Sequence, residues 1–461
     1  MGKRAQAVIV SYNIDNMEVC ASAARISTTK GDAVEIFEKA KGNEKNRQLV
    51  QRVLQSGHRS VIEHAVFTIA LKDVSAFAEQ FFIECRLASF TVKSRRYVDF
   101  GSSGYYIPEE LEGEALKLYC RYMDGLFSAY NLLLENDIPK EDARFLLPYS
   151  FHSNFYCTLN ARELASVIHN IRCGRGKGIP ELQDLADQIV VQVEKLFPCI
   201  CFDEACGSSD SSEGALKVDD EVSFIGQQEI GAVELLNGPS DPIRILKLAY
   251  SMNHPSGAER VSGEEVHPSG TDGALEMEGL LRSVRPRELE QLSYSFLISN
   301  VTLSGITHIV RHRMQSIIIP SIERIAHSRV IVPETIEKNP DMLKVYRDVL
   351  KASNQLLGEM CKNDKLRRYG YYCALSGNVM DVMTTMNARE LEHFMKLRTC
   401  NRAQWEIRKI AVEMLKSLRG SFPELFDHFG PSCFMLGVCP EGRMTCGKLE
   451  EMNVKFKNLD C

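Results

Sequence analysis

The sequence predicts an α+β protein of two tandem repeats, each a small mixed or antiparallel sheet with long helices. Three observations predict it. The first is self-similarity at one constant shift. ECRLASFTVKSRRY at 84–97 and RHRMQSIIIPSIER at 311–324 each hold an arginine followed eight positions later by a serine (Arg86 and Ser94, Arg313 and Ser321), 227 positions apart. NAREL occurs at 160–164 and at 387–391, again 227 positions apart. The second is that each repeat carries both the alternating period of strands and the 3.6-residue period of helices. The third is a compositional break: GSSDSSEGALKVDDE at 207–221 is small, polar and acidic, as a flexible linker is.

Taken in order, AVFTIALKD at 65–73 alternates as a strand, and SAFAEQFFIECRLASF at 75–90 predicts a helix leading into the arginine motif. Residues 109–137 place Leu111, Leu116, Tyr119, Leu126 and Leu133 at helical spacing. ASVIHNI after the first NAREL predicts a further helix. The second repeat follows the same plan: a strand at 291–299, a helix at about 341–361 and helix again over 392–418. The predicted organisation is a first repeat at 1–206, a linker at 207–221 and a second repeat at 222–461. A second loop-like stretch spans 253–275.

Composition limits the function. The 461 residues include 55 basic and 61 acidic ones, and a formal net charge of −6 argues against a protein held on nucleic acid by overall charge. MGKRAQAVIV has no long apolar segment after its basic residues, and Gln6 breaks the myristoylation pattern. No stretch reaches membrane-spanning length. Fifteen cysteines without a secretory signal predict reduced thiols and a cytoplasmic protein.

The chemistry lies in the arginine motif. Arg311, His312 and Arg313, followed by seven residues and Ser321, resemble the signature of the flavin-dependent thymidylate synthases. Asn387-Ala388-Arg389, Arg398 and RAQWEI at 402–407 resemble that family's C-terminal helix. His58-Arg59-Ser60-Val61-Ile62-Glu63-His64 resembles its H-x-S-x-x-E-H segment. Guanidinium forks match phosphate and carbonyl oxygens, and one can hold the negative charge that develops on a reacting uracil. Hydride transfer needs a redox cofactor because no side chain supplies hydride.

The resemblance implies FAD as cofactor, NADPH as reductant, methylenetetrahydrofolate as one-carbon donor and deoxyuridylate (dUMP) as acceptor, with no cysteine nucleophile. It implies that Arg398 activates the pyrimidine. It assigns Arg311, Ser321, Arg324, Ser94, Arg96 and Arg144 to the nucleotide. It assigns Arg311, His312, Arg313, Asn387, Arg389, His393, Ser27, His58, Ser60 and Glu63 to the cofactor side. Metal ligands are not among its expectations.

Departures from the family pattern divide between the repeats. In the first, the triplet is Glu84-Cys85-Arg86, and Arg172 follows Asn160 by twelve positions where Arg398 follows Asn387 by eleven. One residue turns a helix face by about 100°, so Arg172 is a poor substitute. In the second, RSVRPRELEQL at 282–292 lacks the S-x-x-E-H segment, Glu323 stands for Arg96 and Tyr371 for Arg144. Val92 and Ile319 both stand where the family has an acid. Because the losses are complementary and the family's sites lie between subunits of a tetramer, the resemblance implies composite sites in a homodimer that forms a pseudo-tetramer. Methylation or hydroxymethylation of another uridine nucleotide, or a non-catalytic nucleotide or flavin sensor, are the rival expectations.

Each motif also has a plainer reading. Asn in NAREL is a helix N-cap, His58 and His64 are hydrogen-bonding histidines, and Trp405 is core. Cys433, Cys439 and Cys446, and Cys199, Cys201 and Cys206, lack zinc spacing and a fourth ligand, so free thiols are the better reading.

Overall fold

Each sheet contains one of the two alternating strands the sequence predicts. The computed structural model describes residues 3–200, 202, 221–253 and 277–459, so nearly all of the 207–221 and 253–275 segments, with Cys201 and Cys206, lies outside the described residues. β1 (Gln6–Tyr12), β2 (Val66–Ser75), β3 (Ser89–Val92) and β4 (His152–Asn160) form an antiparallel sheet in the order β1-β2-β4-β3. β5 (Ala232–Asn237), β6 (Ser293–Thr302), β7 (Gln315–Ile318) and β8 (Val379–Asn387) repeat that order as β5-β6-β8-β7. Alternate residues of β2 (Phe67, Ile69, Leu71) and of β6 (Tyr294, Phe296, Ile298) are buried, as one-sided sheets require.

The repeat extends to side chains. Thr68 and Thr158 share a hydroxyl hydrogen bond across β2 and β4 (3.0 Å), and Ser295 and Thr385 do the same across β6 and β8 (2.8 Å). Each sheet is bulged at the same place, where Asp73 (φ 51°) and Asn300 (φ 55°) adopt the left-handed conformation. Asp and Asn tolerate that conformation better than most residues. Their amides donate to Asn154 Oδ1 (3.1 Å) and Asp381 Oδ1 (2.9 Å), again equivalent residues.

One sequence expectation fails locally. The helix predicted over 75–90 ends at Ile83, and Ser89–Val92 is strand β3. Ser75 caps the Ala76–Ile83 helix, and every residue of that helix is buried. The apolar run therefore satisfied a helix pattern beyond the helix itself; β3 alternates exposed and half-buried residues beside β4. The helical stretch 392–418 is likewise two helices, Ala388–Arg398 and Trp405–Ser421.

The described chain packs as two units that do not coincide with the repeats. Unit 1 is Met1–Phe224 with Ser321–Asn378; unit 2 is Ile225–Pro320 with Val379–Cys461. Unit 1 thus brings a segment of the second repeat onto the first. The Gly113–Glu135 helix packs on its equivalent, Pro340–Cys361. Beside them the backbone pairs about a local two-fold axis. Tyr149 and Ser376 amides donate to the Ala374 and Leu147 carbonyls (2.7 and 2.9 Å), and Ser150 and Gly377 amides donate to Tyr372 and Phe145 carbonyls (3.1 and 3.0 Å). A shift of 227 turns each bond of a pair into the other. Buried tyrosines fill this region, with Tyr122 Oη donating to the Cys373 carbonyl (2.8 Å) and Tyr346 Oη to that of Ile331 (2.8 Å). Buried phenols need such partners.

Candidate active site

In unit 2 the motif residues are placed by two short helices. Thr302 caps Leu303–Ile309, which delivers Arg311, His312 and Arg313. Asn387 ends β8 and caps Ala388–Arg398, its side chain accepting from the Glu390 amide (2.8 Å); Asn160 caps its own helix the same way through Glu163 (2.9 Å). The recurring NAREL now has a physical meaning. Asn caps, Ala and Leu are buried, and the arginine pairs with a glutamate of the preceding 3-10 turn: Arg162 with Glu63 (2.6 Å) and Arg389 with Glu290. The second repeat has therefore kept the turn and glutamate of the H-x-S-x-x-E-H segment while losing its histidines and serine, a retention the sequence reading missed.

Arg398, at the end of its helix, donates through Nε to His312 Nε2 (2.9 Å) and through Nη2 to the His308 carbonyl (3.1 Å). His312 Nδ1 lies 2.8 Å from Glu390 Oε1. A guanidinium can only donate, so Nε2 is the acceptor and Nδ1 carries the proton toward Glu390. Burial lowers the His312 pKa and Glu390 partly opposes this, which keeps the imidazole neutral at pH 7. The His393 ring lies 5.6 Å and the Phe394 ring 4.8 Å from that of His312.

His312, expected to contact the cofactor, is only 4% exposed and has both ring nitrogens engaged by protein, one of them by Arg398. Arg311 and Arg313 on either side are exposed, as is His393. Glu390, the fourth letter of NAREL, was not singled out from the sequence. Its position on a helix beginning one residue after Asn387 was the available signal.

The first repeat lacks this arrangement. Cys85 replaces His312, and its thiol is pushed up to about 12 by burial. Counted from the capping asparagine, the place of Arg398 is held by Ile171, which is fully buried. Arg172 points elsewhere, to Asp187 (3.1 Å). Glu84 pairs with Arg175 (2.7 Å).

Unit 1 holds the other arginines. Arg96 pairs with Glu141, and Arg144, buried, donates through Nε to the Glu141 carbonyl (3.0 Å). Ser94 Oγ accepts from the Arg96 amide (3.3 Å). Arg95, not predicted, is buried in an ion pair with Glu79 (2.6 Å) over the Phe151 ring (4.7 Å). Ser27 ends the Asn16–Ile26 helix, His58 precedes the Arg59–His64 turn, and both are exposed along with Ser60 and Glu63. Ser321 lies in a cleft with Phe77, Gln80, Glu84, Arg175 and Glu323, while Arg324 is exposed.

Among the described residues no group of His, Cys, Asp and Glu could hold a metal ion. Described cysteines carry free thiols except Cys173, which is disulfide-bonded, against the expectation of reduced thiols throughout. Trp405 is half-buried rather than core. No helix of the described residues is long and apolar enough to cross a membrane.

Comparison with known proteins agrees with the internal repeat. The family model for thymidylate synthase complementing proteins matches residues 8–199 and again 234–424. The chain is 29% identical over 231 residues to a flavin-dependent thymidylate synthase of Geobacter sulfurreducens, covering 49% of this chain and 98% of that protein. It is 31% identical over 245 residues to one of Clostridium tetani, covering 48% and 94%. Among solved structures it is similar to a UMP/dUMP methylase from Streptomyces cacaoi bound with 5-Br dUMP (24% identity, TM-score 0.37, 43% of this chain and 93% of that one). It is also similar to Thymidylate Synthase X from Helicobacter pylori with FAD and dUMP (23% identity, TM-score 0.34, 42% and 98%).

Proposed function

Because the chain belongs to the thymidylate synthase complementing protein family, we propose that it methylates dUMP at C5, with FAD as cofactor, NADPH as reductant and methylenetetrahydrofolate as one-carbon donor. The observation that carries this reading is the Arg398–His312–Glu390 relay, built on the motif residues of the second repeat. It fixes a guanidinium by two of its donors and gives it a neutral acceptor. A guanidinium so held is preorganised toward a pyrimidine carbonyl, where charge grows as the ring reacts. A free arginine would have to be ordered during the reaction.

The residues present fit a flavin and a nucleotide. Ser304 Oγ and Gln404 Nε2 are buried in unit 2 with no protein partner, one on the helix leading to Arg311 and the other at the start of Trp405–Ser421. Buried polar atoms are normally paired, so their openness suits a bound group. When bound, FAD supplies the hydride chemistry that side chains lack. In unit 2, Arg311, Arg313, Asn387, Arg389 and His393 are assigned to the cofactor, and Arg311 also to the nucleotide phosphate. In unit 1, Ser94, Arg96 and Arg144 are assigned to the phosphate, and Ser27, His58, Ser60 and Glu63 to the cofactor side. Glu141 holds Arg96 and Arg144 until an anion competes for them.

The test is the visible spectrum of the purified protein against chain concentration, followed by methyl transfer to dUMP and to UMP. Bound flavin and C5 methylation of dUMP are expected. Preference for UMP would move the substrate assignment, and the absence of flavin after addition of FAD and dUMP would overturn the enzymatic reading in favour of a binding protein.

A further inference from the structure

The cleft around Ser321 lies wholly within unit 1 and joins residues of both repeats. It is lined by Phe77, Gln80, Glu84, Arg175, Ser321 and Glu323, among others. Its composition becomes meaningful under the 227-residue shift. Glu84 stands where Arg311 stands, Glu323 where Arg96 stands and Tyr371, packed on Phe77 with ring centroids 4.6 Å apart, where Arg144 stands. Three of the arginine positions assigned above to nucleotide binding have lost their cation here; the serine remains, and Arg324 follows Glu323 in the chain.

What replaces the cations closes the cleft. Arg175, the one guanidinium lining it, is spent on Glu84 (2.7 Å). Ser321 Oγ donates to Glu323 Oε2 (3.3 Å) rather than outward. Tyr371 is 5% exposed. The remaining space is about 20 Å³, room for about one water, whereas ligand pockets run to about 300 Å³ or more. An entering phosphate would meet two carboxylates, and like charges at close range repel.

We infer that this cleft is a disabled nucleotide pocket, shut by Glu84, Glu323 and Tyr371, and that each chain binds a single pyrimidine nucleotide although it carries two copies of the family fold. This rests on the proposed function. It also removes Ser321 from the nucleotide-binding set and leaves Ser94 in its place.

Equilibrium dialysis of the flavin-loaded full chain with labelled dUMP tests it. One nucleotide per chain is expected. Two per chain overturns the inference while sparing the proposed function; none, with flavin bound, overturns both. Steady-state kinetics of Glu84→Gln and Tyr371→Phe supply a second arm. Both should keep kcat/KM for dUMP within about twofold, and a loss above about tenfold with an unchanged melting temperature would show that the cleft takes part in turnover. The wild-type stoichiometry decides the matter even where a variant fails to fold.

Discussion

At the scale of the residue, Arg398 bears the heaviest demand. Its Nε and Nη2 are fixed by His312 and the His308 carbonyl. Removing a preorganised donor of this kind costs about 10²–10³ in kcat. Arg398→Ala should therefore lower kcat for dUMP methylation by about that factor, and Arg398→Lys should not restore it, because a point ammonium lacks the fork that reaches both acceptors; steady-state kinetics on the flavin-loaded variants checks both. The relay also sets a pH limb. His312 accepts from Arg398 only when neutral, and burial holds its pKa below the ordinary histidine value. Acidification through that lowered pKa places two cations side by side, so kcat should fall on the acid side. Glu390 raises the His312 pKa, so Glu390→Gln should move the limb to still lower pH, as a pH–rate profile would show. Arg398 was legible as a motif residue. The relay was not, because Glu390 is 78 residues from His312 and only the fold makes them neighbours.

At the scale of the element, one strand of each sheet (β2 and β6) and the long helices were legible because alternation and helical spacing are written in consecutive residues; the remaining strands were not read from the sequence. The stop of the 75–90 helix at Ile83, and the contact that anchors its start, were not legible. The Ala76–Ile83 helix starts at Ser75, whose amide and hydroxyl donate to Glu181 Oε1 (2.7 Å) and Oε2 (2.5 Å), with Tyr372 Oη adding a third bond (2.8 Å). The equivalent Thr302 donates to Glu406 in the same way (2.7 and 2.6 Å). A carboxylate more than 100 residues from the helix it anchors cannot be read from local pattern. Glu181→Ala would strand three buried donors, at about 1–3 kcal/mol each before relaxation, so a loss of several kcal/mol is expected in urea unfolding. Its titration gives a separate signature. Desolvation raises the Glu181 pKa to about 6, so ionisation disfavours the folded state. The unfolded chain begins to ionise near its ordinary value of 4.5, and stability is lost from there until the folded carboxyl has ionised above about 6. A rise of about 1.5 units corresponds to roughly 2 kcal/mol. The stability of the wild type relative to Glu181→Gln should therefore fall by about that amount between pH 4 and pH 7.

At the scale of the whole molecule, the duplication was plain from the constant shift, whereas its packing was not. Nothing in the sequence says that 321–378 leaves its own repeat to complete unit 1. The reason is visible in the helix faces. Gly113–Glu135 buries Tyr119, Met123, Leu126 and Tyr130, and Pro340–Cys361 buries Tyr346, Leu350 and Leu357. These are helix faces of the kind that cannot stay solvated, and each is the other's principal cover. Close packing at the local two-fold axis is equally specific. A Cβ on Gly377 would lie 3.0 Å from both the Phe145 carbonyl oxygen and Phe145 Cβ, so Gly377→Ala should cost about 1–3 kcal/mol. The same reasoning decides what happens when the repeats are separated. A piece comprising residues 1–206 has the first sheet but lacks Pro340–Cys361 and the strand-like pairing of Leu147–Ser150 with Tyr372–Gly377. Its apolar helix face is then open to water, which favours aggregation over a fixed core. Expressed alone, 1–206 should be insoluble or lack near-UV circular dichroism; expressed together with 222–461 it should be recovered as a soluble 1:1 complex, because the missing segment returns in trans. If 1–206 alone unfolded in one sharp cooperative transition, the first repeat would carry its own complete core, and the exchange of 321–378 would be dispensable for folding.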